Sequence, residues 1–338
     1  MTDFTETDFT ELVDLAAERL GGAVLYANDD FFAPKENLLK ASAPVFREGE
    51  YTDRGKWMDG WESRRRRTPG YDWCIIRLGL PGIMRGIVVD TSHFKGNYPE
   101  QCSLEACAIG GHPDVEKLLD ESVHWTEVLP VSQLAGDSLN PFTVDHNQRA
   151  THLRFKIYPD GGVARLRVYG EVVPDWPLIK RAGLIDLAAV EHGGRVLSSS
   201  DMFFGHRHNL IMPGRAADMS DGWETKRRRG LGHDWVIIKL GARASIQQVE
   251  VDTSHFKGNY PESCSLEGCD APEAGRDEYA LAYLAWKEFL PRTRLQGHTR
   301  HHFTNELQPS GALTHVRFNI YPDGGVSRLR LYGSIEEQ

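Results

Sequence analysis

The chain has 338 residues but only five cysteines, an odd number too sparse for the disulfide framework of a small secreted protein. No apolar run approaches the ~18 residues that a membrane span needs, and the opening MTDFTETDFTE is acidic where a secretory leader is basic and then apolar. Positive charge is not in surplus. With 39 Lys and Arg against 48 Asp and Glu, the net charge of −9 repels phosphate backbones and anionic lipid. The GxSxG elbow, the GxxxxGK phosphate loop, HExxH and paired CxxC are all missing, which removes the familiar nucleophilic, nucleotide and zinc chemistries. These absences lead us to expect a cytoplasmic protein with no nucleic-acid and no membrane partner. Its 40% hydrophobic and 26% charged residues make it an ordinary globular chain.

What is present is one unit written twice. VDTSHFKGNYPE runs from Val89 to Glu100 and again, unchanged, from Val251 to Glu262. DGWESRRRR at Asp59–Arg67 matches DGWETKRRR at Asp221–Arg229, YDWCIIRLG at Tyr71 matches HDWVIIKLG at His233, and IYPDGGVARLRVYG at Ile157 matches IYPDGGVSRLRLYG at Ile320. A period of this length exceeds any solenoid unit of roughly 20 to 50 residues, so each half is expected to be a whole domain. We place the two repeats at 1–172 and 173–338, dividing at the proline-bearing VVPDWPL.

Helical signal is brief. ELVDLAAERLGG suggests a helix closing at Gly21 and Gly22, with Gly193 and Gly194 as twins, and further helices are predicted at Pro113–Ser122 and at about Pro272–Lys287. The remainder reads as short strands separated by Gly, Pro, Asp and Asn. In HLRFKIY, Leu153, Phe155 and Ile157 alternate with Arg154, Lys156 and Tyr158, the pattern of a strand with one face buried. Cys102 and Cys107, like Cys264 and Cys269, are five apart within strand-like segments. They should lie on opposite faces as buried free thiols. The fold class is all-β, a sandwich or jelly roll in each half with minor helix.

Polar turn segments carry whatever chemistry the chain has. A strand connection needs the Gly, Asn and Pro of HFKGNYPE, but not His93, Lys95 and Glu100 together with His255, Lys257 and Glu262. Histidine exchanges protons near neutrality and lysine holds an anionic or carbonyl group. A solvated loop with a capping histidine accounts for the same residues. In the arginine runs, an extended backbone puts Arg65 and Arg67 on one face and Arg64 and Arg66 on the other, so at least one per half can point inward and bind a carboxylate through two hydrogen bonds. A solvated strand paired to Asp59 and Glu62 is the plain alternative. His206 and His208, and His298, His301 and His302, occur only in the second half and are weak metal candidates.

The duplicated DGWE, HFKGNYPE and IYPDGGVxRLRxYG blocks resemble the allantoicase (allantoate amidinohydrolase) family over nearly the whole chain. The resemblance implies two tandem galactose-binding-like antiparallel β jelly rolls and hydrolysis of allantoate to ureidoglycolate and urea in purine breakdown. Allantoate carries a carboxylate and two ureido groups on one carbon, so its enzyme must fix the anion, stabilise the departing nitrogen and supply water. On the matching motifs, Arg65, Arg67, Arg227 or Arg229 would clamp the carboxylate, with Lys95 and Lys257 beside them. Asn97 or Asn259 would bind a ureido carbonyl, and His93, Glu100, His255 or Glu262 would move protons. No cofactor is required, although a divalent metal is compatible, and a homo-oligomer is expected. The competing reading is a non-catalytic tandem jelly-roll protein that binds a small ligand or carbohydrate. Loops rich in His, Lys, Arg and Glu favour the enzyme.

Overall fold

The segments WCIIRLG and GIVVD, which read as separate strands, are one strand of 19 residues, Asp72–Asp90. In the computed structural model, which describes residues 9–274 and 278–336, this strand organises the first half. Its opening residues pair antiparallel with Ala23–Ala27 and Ala150–Tyr158, and its closing residues pair with Leu139–Thr143 and Arg165–Val172. The register against Ala150–Tyr158 jumps from Arg77 to Gly82, where the strand passes from one set of partners to the other. Gly82 permits this passage, since a Cβ there would lie 2.4 Å from the Glu171 carbonyl oxygen. Asp234–Asp252 repeats the arrangement with Leu313–Tyr321 and Arg328–Ile335. The chain divides into residues 1–173 and 174–338, each with an eight-stranded antiparallel sheet. Each unit is an antiparallel β jelly roll with little helix.

The alternation in HLRFKIY is visible in the packing, with Leu153, Phe155 and Ile157 fully buried and Arg154, Lys156 and Tyr158 half-buried. All five cysteines are free and buried. Burial pushes the thiols of Cys102 and Cys264 up to about 12, so none is a ready nucleophile.

The helix expected at ELVDLAAERLGG is not formed. Val13–Asp14 is instead a short strand paired with Gly170 and Tyr169, followed by a 3-10 turn at Glu18–Leu20. Tertiary bonds override the local helical pattern: Asp14 accepts the Val168 amide at 2.9 Å, and Leu15 donates its amide to the Val168 carbonyl at 2.7 Å. Gly21 does close the turn in the left-handed conformation, at φ 95°. The predicted helix at Pro113–Ser122 is real but shorter, Val115–Leu119, capped by the Asp114 carboxylate. Of the helix expected across Pro272–Lys287, only Glu278–Ala282 is helical; residues 275–277 lie outside the described residues, and Lys287 opens a strand. No helix among the described residues is long and apolar enough to cross a membrane.

His152 and His315 occupy equivalent positions with 1% and 0% exposure. Each Nδ1 is hydrogen-bonded to the preceding threonine hydroxyl, at 2.8 and 2.9 Å, while each Nε2 has no hydrogen-bond partner. Burial, aided by Arg77 and by Lys239 respectively, lowers both pKa values to about 4. An unfolded histidine titrates near ~6.5, so between these values the unfolded chain binds more protons than the folded one. The associated stability is present above about 6.5 and lost as pH falls toward 4. We expect Tm to drop over that interval in the wild type, and the drop to shrink when His152→Gln and His315→Gln are combined. Calorimetry giving parallel pH profiles for the two proteins would refute this.

Candidate active-site clefts

The repeated blocks meet around one phenylalanine in each unit. Phe94 of HFKGNYPE is fully buried, and its ring occupies the space where side chains would stand on two glycines. A Cβ on Gly162 of IYPDGGV would lie 1.9 Å from the ring, and one on Gly60 of DGWE 2.8 Å. Phe256 repeats this with Gly325 at 2.0 Å and Gly222 at 2.8 Å. The backbone secures the contact, because Gly162 donates to the Asn97 carbonyl at 2.7 Å and Gly325 to that of Asn259 at 2.8 Å.

Each letter of DGWE then has its own task. Asp59 binds the buried Arg165 of the ARLRVYG strand at 2.7 Å, and Asp221 binds Arg328 at 2.7 Å. Burial raises the Asp59 pKa, but the bond and charge of Arg165 outweigh it and hold the carboxyl below its ordinary range. Gly60 admits Phe94. Trp61 is fully buried and donates its indole N–H to the Asp29 carbonyl at 2.8 Å, as Trp223 does to Asp201. Only Glu62 and Glu224 are left to face a cleft.

The cleft in residues 1–173 measures about 590 Å³ and is lined by Glu62, His93, Lys95 and Asn97, with Phe32, Phe46, Lys56 and Met58 as walls. Asn97 donates its carboxamide N–H to Glu62 Oε1 at 2.7 Å. Burial raises the Glu62 pKa, opposed in part by that bond. The cleft in residues 174–338, about 710 Å³, is lined by Glu224, Arg227, Asn259, Glu262 and Arg294. There Asn259 donates to Glu224 in the same way. A carboxyl held by a carboxamide on the lining of a cleft can give or take a proton at a bound molecule.

The predicted residues separate under this geometry. His93, Lys95 and Asn97 come together in the first cleft, and Arg227, Asn259 and Glu262 in the second. Lys95 reaches Asp137 at 3.8 Å. His93 and His255 also hold structure: both backbones are left-handed, at φ 70° and 71°, and their Nε2 atoms donate to the carbonyls of Pro44 and Ala216 at 3.2 and 3.0 Å. His255 and Lys257 do not line the second cleft, and Glu100 does not line the first. The arginines that turn inward are Arg66 and Arg228, which bind the buried Asp72 and Asp234; Arg65, Arg67 and Arg229 are exposed outside the cleft linings. The run is not a strand, and its expected partners are taken, Asp59 by Arg165 and Glu62 by Asn97. Glu62 and Glu224 were legible only as acidic residues beside the arginines, although each occupies the same place in a duplicated motif. Among the described residues no group of three or more His, Cys, Asp or Glu is arranged to hold a metal ion, the second-half histidines included.

Two jelly rolls in tandem, each with a cleft floored by a carboxyl–carboxamide pair, define a duplicated protein built to act on a small polar ligand. The model of the allantoicase repeat matches residues 13–173 and 185–336, and the chain belongs to the allantoicase family. It is 49% identical to a probable allantoicase of Pseudomonas aeruginosa, covering 96% of this chain and 97% of that one. It is 48% identical to the allantoicase of Dictyostelium discoideum, over 97% of this chain and 88% of the other. The crystal structure of the Saccharomyces cerevisiae allantoicase superposes with a TM-score of 0.80 at 36% identity, covering 98% of this chain and 99% of that one.

The two kinds of arginine should respond differently to removal. Arg66→Ala leaves Asp72, 1% exposed, with the Asn28 carboxamide but no ion-pair partner, and with Arg66 itself half-buried the cost should approach, from below, the roughly 3 to 5 kcal/mol of a fully buried pair. Arg65→Ala removes an exposed side chain and should stay within about 0.5 kcal/mol of wild type. Denaturant melts that rank the two variants equally would contradict this placement.

Proposed function

We propose that the chain hydrolyses allantoate to ureidoglycolate and urea, and that the duplicated Glu–Asn clefts are where it does so. Membership of the allantoicase family through both repeats is the observation that carries the reading. Allantoate has one carbon bearing a hydrogen, a carboxylate and two ureido groups. Hydrolysis breaks one of its C–N bonds, puts a proton on the departing nitrogen to give urea, and joins a water oxygen to the carbon. The other proton of that water goes to a base.

Glu62 and Glu224 are the proton-transfer groups in this scheme. Hydrogen bonds from Asn97 and Asn259 occupy one oxygen of each, and both carboxyls line their clefts. Burial favours the neutral carboxyl of Glu62, which suits it to protonate a leaving ureido nitrogen. In the second cleft Arg227 and Arg294 supply guanidinium groups for the substrate carboxylate, and Glu262 is a second carboxylate able to accept the proton from water. In the first cleft the ammonium groups of Lys56 and Lys95 take the anion-binding part, with the His93 ring on the wall. Arg65, Arg67, Arg229, Lys257, Glu100 and His255 have no part in this scheme.

Urea release from allantoate by the purified chain is the primary test, and absence of urea from folded protein would overturn the reading. Glu62→Gln and Glu224→Gln keep the carboxamide contact but remove the proton. Each is expected to lower kcat at its own cleft, by roughly 10² to 10⁴ where that cleft alone is competent. Loss confined to one variant identifies a single working cleft, whereas equal partial losses indicate two. Full turnover in the double variant would remove both glutamates from the chemistry. Arg227→Ala should mainly raise KM, because a carboxylate clamp acts on bound substrate and transition state alike.

A further inference from the structure

One place in the fold is apolar and filled in the first unit, charged and hollow in the second. In residues 9–173, Phe9, Leu12 and Val88 form an apolar cluster against Tyr169, with the Phe9 and Tyr169 ring centres 5.9 Å apart. The Phe9 ring fits because residue 86 is glycine, where a Cβ would lie 2.2 Å from it. In residues 174–338, Gln248 takes that position, opposite Tyr332 as Gly86 is opposite Tyr169. Three further twins change character: Glu250 replaces Val88, Arg300 replaces Leu139 and Glu191 replaces Arg19. The result is a cavity of about 330 Å³ lined by Asp186, Glu191, Arg215, Glu250, Arg300 and Arg330.

Much of this charge is spent within the protein. Arg300 binds both oxygens of Glu250, at 2.8 and 2.9 Å, and Arg330 Nη2 donates to the carbonyls of Met212 and Gly214 at 2.6 and 2.8 Å. Two buried atoms are left over. Arg330, 8% exposed, keeps Nη1 without a hydrogen-bond partner, and Glu191 keeps Oε2 without one. A buried donor and a buried acceptor on one cavity, neither bonded to the other, cost free energy unless something between them meets both. Arg215 is exposed and makes no ion pair among the described residues. Burial pushes the Asp186 carboxyl up, against the charge of Arg330, and Glu191 adds to the rise, so an incoming N–H donor is favoured there.

We propose that this cavity is a further ligand site, for a small molecule that carries a carboxylate together with an amide or ureido group. The ligand carbonyl accepts from Arg330 Nη1, a ligand N–H donates to Glu191 Oε2, and the ligand carboxylate pairs with Arg215. A simple anion would leave Glu191 unmet, and a simple cation would leave Arg330 unmet. None of these three residues lines either Glu–Asn cleft, so the site is separate from both. That allantoate or ureidoglycolate is the occupant rests on the hydrolysis proposed above, but the chemical class does not.

Calorimetric titration of the whole chain with N-carbamoylglycine, which bears both groups, tests this. Wild type should show one equivalent of binding that weakens roughly tenfold or more in Glu191→Ala and in Arg215→Ala, and that is unchanged in the double variant Glu62→Gln with Glu224→Gln. Arg330 is left in place because it also holds the carbonyls of Met212 and Gly214. Both single variants should keep the far-UV circular dichroism of wild type. Urea and glycolate, each with one of the two groups, should bind about tenfold more weakly or worse. Absence of saturable binding overturns the proposal and leaves water as the occupant, and equal affinity in wild type and both single variants overturns it by placing the ligand elsewhere. Glycolate binding as tightly as N-carbamoylglycine overturns the amide or ureido part. If wild type releases no urea from allantoate, the titration still decides whether the cavity takes a ureido acid.

Discussion

A ring that fits only where two glycines leave room ties this protein together. Phe94 and Phe256 each bring a loop, a tryptophan-bearing turn and a strand connection into one contact, and the distances leave no space for a methyl group on Gly162 or Gly325. Overpacking such a site costs about 1 to 3 kcal/mol or a backbone shift, so the three segments are coupled in sequence as well as in space. The pairs Arg165–Asp59, buried, and Arg328–Asp221, whose carboxylate is half-buried, sit beside the same junction. Such pairs are poor sources of net stability, but removing one partner is costly, which makes them effective at enforcing a single arrangement. Glu62 and Asn97 inherit their positions from this junction, since one follows the glycine and tryptophan of DGWE and the other lies three residues beyond Phe94.

Function enters where packing leaves a side chain unspent. In DGWE, three of four residues are consumed by the fold and the glutamate is not. In HFKGNYPE, Phe94 anchors, Tyr98 packs against Gly136, His93 binds Pro44, and Asn97 is free to meet the glutamate. A histidine in a polar loop looks like an acid or base from its letter alone. Here its ring nitrogen is spent on a backbone carbonyl, and the left-handed backbone that carries it is held from both sides, with Asp137 accepting the His93 amide at 2.7 Å and the His298 ring accepting that of His255 at 2.8 Å.

This division explains what could be read in advance. Half-buried strands announce themselves through alternation, as Leu153, Phe155 and Ile157 did, because each side chain's environment is set by its own strand. The segment Glu11–Gly22 misled because Leu12, Leu15 and Ala16 are spaced as on a helix, while the deciding bonds come from Val168, far along the chain. The cleft was legible in part to the residue, since His93, Lys95 and Asn97 line the first and Arg227, Asn259 and Glu262 the second, while the glutamate on which each asparagine closes was not. Alternation along the arginine run set Arg65 and Arg67 opposite Arg64 and Arg66 without saying which pair turns inward; the run does not form a strand, and the buried carboxylates of Asp72 and Asp234 bind Arg66 and Arg228. Glu62 was hidden because an acidic residue beside arginines is most simply read as their partner.

Duplication supplies a control that a single domain lacks. The floor of each cleft is the same carboxyl and carboxamide. The walls are not the same. Ammonium groups and aromatic or thioether side chains surround Glu62, whereas guanidinium groups and a second carboxylate surround Glu224. An ammonium is a point charge and a guanidinium a planar fork, so the two clefts would hold one carboxylate with different geometry and different tolerance for misplacement. With a common floor, any difference in turnover between the units has to arise from how the anion is held and how the cleft is closed. Part of that difference comes from residues the repeat does not share, foremost the hairpin segment from Leu39 to Asp59, which carries Lys56 and is ten residues longer than its counterpart from Ile211 to Asp221. Part comes from which of two identical twins lines its cleft, Arg227 and not Arg65, Glu262 and not Glu100, Lys95 and not Lys257.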